Sequence, residues 1–450
     1  MAPAFRAGAA GLREGRIVTT NRLGIASRAL RIVTACALIA FIASCAAPAP
    51  RATGHPPHGA ELPPPPPPPP PVQPIDVASP VIASVPDAVG APPPPVHITH
   101  AARPPTAALA APPPPAKYKV VDVLYATDRL RIAGTGGLVG FSGGRGAAIE
   151  YGTCEVSIPD THREGELESP GLLEFHEDPA RHVVLLAVQP ASHDAFVGDL
   201  AARVAAAPGR TALVFVHGYN VTFADAARRT AQIAYDIHFA GVPMFFSWPS
   251  LGETLAYPID MTNADWAQFD LKTLLLDIAD HSGADNVVLI AHSMGNRVLA
   301  TALIEAVDAR PDFAARIREV VLAAPDIDAD MFRRDLAPRL IAATRGTTLY
   351  ASSTDEALAV SHHYNGALRA GDVAAGPIVI SGMDTIDVSA VDPGPLGHSY
   401  IGDSPSVLDD VAKVVGEGTP ASARFGDPVT GPLGAYWRMT AALAPGGGSH

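Results

Sequence analysis

The chain has 450 residues, 46 of them proline, and a formal charge of −13 at pH 7. Twenty-six of the prolines fall between Cys45 and Ala116, so that stretch is excluded from any packed core. What remains, Lys117 to His450, suits one large domain that buries roughly 75% of the surface its unfolded chain exposes. The acidity argues against nucleic acid as a partner, because phosphate backbones would be repelled.

At the amino terminus, Arg28 and Arg31 precede an apolar run from Ile32 to Ser44. That run is short for a membrane span but suits the apolar part of a secretory signal. It ends in IASC at positions 42–45, which resembles the bacterial lipobox. The resemblance implies a signal peptide over 1–44, cleavage before Cys45, and lipid on the Cys45 thiol. At ~0.8 kcal/mol per buried CH₂, several acyl chains anchor stably where one does not. The expected location is the bacterial cell envelope, lipid-anchored and outside the cytoplasm. Residues 1–44 hold six Arg and one Glu, so losing them takes the charge from −13 to −18.

Residues 45–116 read as a disordered proline-rich tether. Proline runs at 63–71, 92–95 and 112–115 lack amide donors and favour polyproline II. At ~3.1 Å per residue the tether reaches at most roughly 200 Å. Cys36 and Cys45 sit in the leader, which leaves Cys154 alone in the folded part. An intramolecular disulfide framework is thereby excluded, and Cys154 reads as a small buried hydrophobe.

From Val120 the pattern changes to β-branched runs at 121–128, 153–159 and 183–189, expected as leading antiparallel strands. Strand and helix patterns then alternate: strand 211–217, helix 223–240, strand 242–248, helix 264–281, strand 286–291, helix 294–309. Further strands are expected at 319–324, 347–352 and 386–391, with a closing helix after Ser404. Apolar strands separated by helices of this length indicate an α/β fold, a mostly parallel sheet with helices on both faces. Ligands then bind beyond the carboxyl ends of the strands.

The chemistry clusters at those ends. Strand NVVLI runs into AHSMG at 291–295 and then a helical stretch, the context of a nucleophile elbow. Ser293 occupies its expected exposed tip. Small residues must flank such a turn on both sides, and Ala291 and Gly295 meet the need, with Ala291 departing from the common glycine. Developing charge on an attacked carbonyl oxygen needs donors. The HGYN loop after strand ALVFV places the Tyr219 amide opposite that of Met294, with Asn220 as an alternative donor. His217 precedes the serine, which does not suit the order serine, acid, histidine, and reads as a brace for its loop.

Two strand ends offer an acid, Asp355 after TTLYAS, and Asp326 and Asp328 after EVVLAA. The later strand is the commoner source, so Asp355 is preferred; each carboxylate equally fits a helix N-cap. For the base, His398 in the turn-rich DPGPLGHSY has the required order and loop position, whereas His362 and His363 ride a helix. Trp248, Tyr257 and Trp266 suit an acyl pocket or plain core equally well.

Taken together, YATDR, FVHGYN, FFSWPS, AHSMGNR, LAAPDID and YASSTDEAL resemble a group of bacterial α/β-hydrolases within the esterase/lipase superfamily. The likeness covers about Val120 to Gly416. It implies an α/β-hydrolase domain acting as a serine hydrolase on small-molecule or lipid esters. The implied catalytic residues are Ser293, Asp355 and His398, with the Tyr219 and Met294 amides as oxyanion donors. Neither a cofactor nor a metal is expected. The alternative from another class is a catalytically silent, envelope-anchored binding module that retains the fold.

Overall fold

The computed structural model describes residues 116–440, except 172–173, 175 and 392–397. The expected signal peptide, Cys45 and the proline-rich stretch through 115 lie outside the described residues. In chain order the strands are β1 (Tyr118–Ala133), β2 (Val139–Pro159), β3 (Val184–Ala191), β4 (Thr211–Val216), β5 (Val242–Ser247), β6 (Asn286–His292), β7 (Ile317–Ala323), β8 (Thr347–Ala351), β9 (Asp384–Asp387), β10 (Val429–Gly431) and β11 (Gly434–Arg438). The longer helices are α1 (His193–Ala206), α2 (Phe223–Asp236), α3 (Tyr257–His281), α4 (Gly295–Ala309), α5 (Glu356–Asn365) and α6 (Pro405–Glu417). None of the helices among the described residues is long and apolar enough to cross a membrane.

All eleven strands join one sheet in the order β10-β11-β9-β8-β7-β6-β4-β5-β1-β2-β3. Every pairing from β11 through β9, β8, β7, β6, β4 and β5 to β1 is parallel. The two ends are antiparallel, β1–β2–β3 on one side and β10–β11 on the other. Alternation along each strand divides the core in two. Ala212, Val214 and Val216 of β4 and Val287, Leu289 and Ala291 of β6 face α1, α3 and α4. Leu213, Phe215, Val288 and Ile290 face α2 and α6. Covering both faces is why these central strands read as nearly unbroken apolar runs.

Several boundaries differ from the sequence expectation for local reasons. Helix α3 begins at Tyr257, not 264, because Pro258 stands in its first turn, where a missing amide costs nothing. Helix α2 ends at Asp236, not 240. Strand β9 stops at Asp387, whose carboxylate accepts from the Ser389 amide at 3.0 Å and turns the chain. Helix α1 was not anticipated, although Ser192 caps it and Phe196, Leu200 and Val204 recur on its buried side. The edge hairpin β10–β11 also lies beyond the expected elements. Cys154 is free and fully buried.

Candidate active site

The carboxyl ends of β4, β6, β7 and β8 bring the candidate residues together. Ser293 follows β6 with φ 54, and Ala324 after β7 and Asn220 after β4 share that left-handed region at φ 47 and 59. Such angles cost of order 1–3 kcal/mol each and persist only where packing dictates them. Here the packing is explicit. A Cβ on Gly295 would lie 2.3 Å from the His217 carbonyl oxygen, and one on Gly218 would lie 2.9 Å from Ser293 Cβ. Glycine at 295 therefore lets α4 start directly against the end of β4, and glycine at 218 lets the HGYN loop press onto the serine. The Ser293 carbonyl is held by the Asn296 side chain at 2.9 Å and by the Asp326 amide at 3.3 Å. Ser293 was expected at an exposed tip, but the residue is only 4% exposed, because that loop closes over it.

Beyond the segment 392–397, His398 returns to the same place. Its Nδ1 donates to both oxygens of Asp355, at 2.9 and 2.8 Å. Its ring lies 4.7 Å, centre to centre, from that of His292, the residue just before the serine, and His292 Nε2 donates to the His398 carbonyl at 2.9 Å. Among the described residues, Ser293 Oγ makes no hydrogen bond to His398 Nε2. Burial opposes charging His398, yet the charge and hydrogen bonds of Asp355 outweigh it, so its pKa lies above the usual 6.5. His292 goes the other way, to about 3, through burial and the neighbouring His398. It is thus a neutral brace that fixes the main chain of the His398 loop beside the Ser293 turn.

The two acidic candidates separate cleanly. Asp355 carries His398 and also caps α5, accepting from the Leu358 amide at 2.9 Å. Asp326 instead faces Arg369 at 3.1 Å, Tyr257 OH at 2.7 Å and Ser361 Oγ at 2.5 Å. No hydrogen bond joins it to His398. The amides of Tyr219 and Met294 have no hydrogen-bond partner among the described residues, whereas the Asn220 amide points to Asp260 Oδ2 at 3.5 Å. Two free N–H groups beside the serine are what an oxyanion requires. His362 and His363 sit in the last turn of α5.

Behind the HGYN loop lies a group that sequence reasoning missed. Arg129, fully enclosed at 1% exposure, donates to Ser247 Oγ at 2.8 Å, to the Ser250 and Val221 carbonyls at 2.7 Å, and to His217 Nε2 at 3.3 Å. Burial lowers its pKa to about 10, so it stays charged at neutral pH. His217 donates through Nδ1 to the Gly218 carbonyl at 2.8 Å and stacks on Trp248, with ring centres 5.1 Å apart. Burial, then the Arg129 charge, hold its pKa well below the usual value. It is a neutral strut for the loop. Trp248 is core, and Trp266 lies under Arg145 at 4.9 Å.

A family model described as alpha/beta hydrolase of unknown function (DUF900) matches residues 192–417, half of the chain. The chain belongs to that family. Its Ser293 turn, the HGYN loop and the Asp355 carboxylate all fall inside the matched segment of this α/β hydrolase. No curated protein matches the sequence. Among solved structures the hydrolase is similar to a predicted CIB-like hydrolase from Thermoplasma acidophilum, at 15% identity and TM-score 0.28, over 50% of this chain and 91% of that one. It is also similar to brefeldin A esterase, a bacterial homologue of human hormone-sensitive lipase, at 14% identity and TM-score 0.29, over 71% and 81%. A Pyrobaculum calidifontis esterase stands at 14% identity and TM-score 0.26, over 66% and 84%. Scores of that size carry no functional weight.

Proposed function

We propose that this α/β hydrolase is a serine carboxylic ester hydrolase working through an acyl-enzyme on Ser293. His398 takes the serine proton as general base, Asp355 holds the imidazole in the tautomer that leaves Nε2 free, and the Tyr219 and Met294 amides receive the developing oxyanion. The observation that carries this reading is the His398–Asp355 pair at 2.8 Å, its imidazole 4.7 Å from the ring of the residue that precedes the serine.

The base must be neutral to accept a proton, and its pKa is raised. Turnover of p-nitrophenyl esters, expressed as kcat/KM, should therefore be low in acid and rise with pH through an ionisation above 6.5. Folded protein that hydrolyses no acyl length, or a profile without that ionisation, would count against the assignment.

We further propose that the enzyme is held at the cell envelope through lipid on Cys45, acting on small-molecule or lipid esters. Support comes from the IASC tetrad and the proline runs that separate it from the domain. Mass spectrometry of the mature amino terminus should find an acylated Cys45 as residue one, and an unmodified terminus would remove the anchor.

A further inference from the structure

Asp326 is the carboxylate that the catalytic scheme leaves over. It is 3% exposed and pairs with Arg369, itself 4% exposed. Around that pair lie Ser361, whose Oγ accepts from Arg369 Nε at 2.9 Å, and Tyr257, whose hydroxyl accepts from Asn365 Nδ2 at 3.1 Å. Apart from the Arg369 pair, the contacts of Asp326 lead to the Ser293 turn directly, to the α5 helix through Ser361, and to Tyr219 through Tyr257. Its amide reaches the Ser293 carbonyl at 3.3 Å. Its Oδ1 accepts from Ser361 on α5, the helix whose first amides are capped by Asp355. Its Oδ2 accepts from Tyr257, whose ring meets the edge of the Tyr219 ring at 5.4 Å, while Tyr219 OH donates to the Thr254 carbonyl.

We propose that Asp326 and Tyr257 are positioning residues: the main-chain amide of Asp326 holds the Ser293 turn, its buried carboxylate holds the acid-bearing helix and Tyr257, and Tyr257 carries the tie on to the oxyanion loop through Tyr219. This rests on the ester hydrolase reading above. A buried ion pair kept for stability alone is commonly replaceable by apolar groups of similar volume. Here the carboxylate accepts from Tyr257, Ser361 and Arg369 while the Asp326 amide holds the Ser293 carbonyl, so removing the Tyr257 or the Ser361 hydroxyl releases one segment from the others. Displacements of about 1 Å at reacting groups cost up to ~100-fold in rate. Tyr257 touches no reacting atom in this arrangement; its effect passes through Asp326 and Tyr219.

The test is Tyr257→Phe, which keeps both ring contacts and removes only the hydroxyl, with Ser361→Ala as the companion on the α5 side. Active sites are titrated with a fluorophosphonate, and kcat and KM for a p-nitrophenyl ester are measured per titrated site beside the thermal midpoint. Each variant should lose about tenfold in kcat with KM within about twofold, and Ser361→Thr, which restores a hydroxyl, should recover the rate. Undiminished kcat per site with a lowered midpoint would mean a purely structural network and overturn the inference. A rise in KM alone would overturn it too, by placing Tyr257 against substrate. Wild-type protein that neither titrates nor turns over would sink the hydrolase reading and this inference together, whereas an active wild type with undiminished variants sinks only this one.

Discussion

Asp355→Asn should lower kcat about 10⁴-fold while leaving the fold intact, because the wrong imidazole tautomer is then stabilised. The two duties of this side chain make asparagine the informative replacement. As an N-cap, asparagine serves about as well as aspartate, so the bond to the Leu358 amide survives. As the partner of His398 Nδ1, its neutral amide carries no charge to stabilise the imidazolium. Asp355→Ala removes both duties and should add about 1 kcal/mol of lost stability from the cap. Stopped assays on both variants, beside urea unfolding, separate the contributions. Equal activity in Asp355→Asn and wild type would hand the orienting role to another carboxylate.

Arg129→Met should cost about 4 kcal/mol of stability, since it strands buried acceptors at roughly 1–3 kcal/mol apiece. The stranded acceptors are the Ser250 and Val221 carbonyls, while His217 Nε2 keeps Ser247 Oγ at 3.1 Å. Methionine matches much of the volume, so the loss reports hydrogen bonding more than cavity formation. The Val221 and His217 contacts flank the HGYN loop, and a loop displaced on the ångström scale should also reduce kcat by up to ~100-fold in the molecules that remain folded. Urea denaturation gives the first quantity and site-titrated turnover the second. A variant as stable as wild type would mean that water replaces the guanidinium, contrary to its 1% exposure.

These contacts mark how far sequence reasoning reaches. The alternation of β4 and β6 and the AHSMG turn are local patterns, legible because each strand and its following helix carry their own periodicity. Asp355 illustrates an ambiguity that local pattern cannot resolve: a carboxylate before a helix reads as a cap, and it does cap α5 while also contacting His398. The supporting contacts around the site were illegible for a different reason. Asp326 meets Tyr257 across 69 positions, Arg129 meets His217 across 88 and His292 meets the His398 carbonyl across 106, distances over which no spacing rule operates. Arg129 and His292 do stand inside the quoted motifs YATDR and AHSMG, which was the available signal. The edge hairpin β10–β11 was missed because its strands, VTG and GAYWR, carry neither an apolar run nor a sustained alternation.

The most direct measurement is to treat the folded protein with a fluorophosphonate and locate the adduct by peptide mass mapping. The account predicts one phosphonylated residue, Ser293, with labelling abolished in Ser293→Ala and slowed at least about 10³-fold in His398→Ala. An adduct on any other serine, or no adduct on protein shown to be folded, would contradict it.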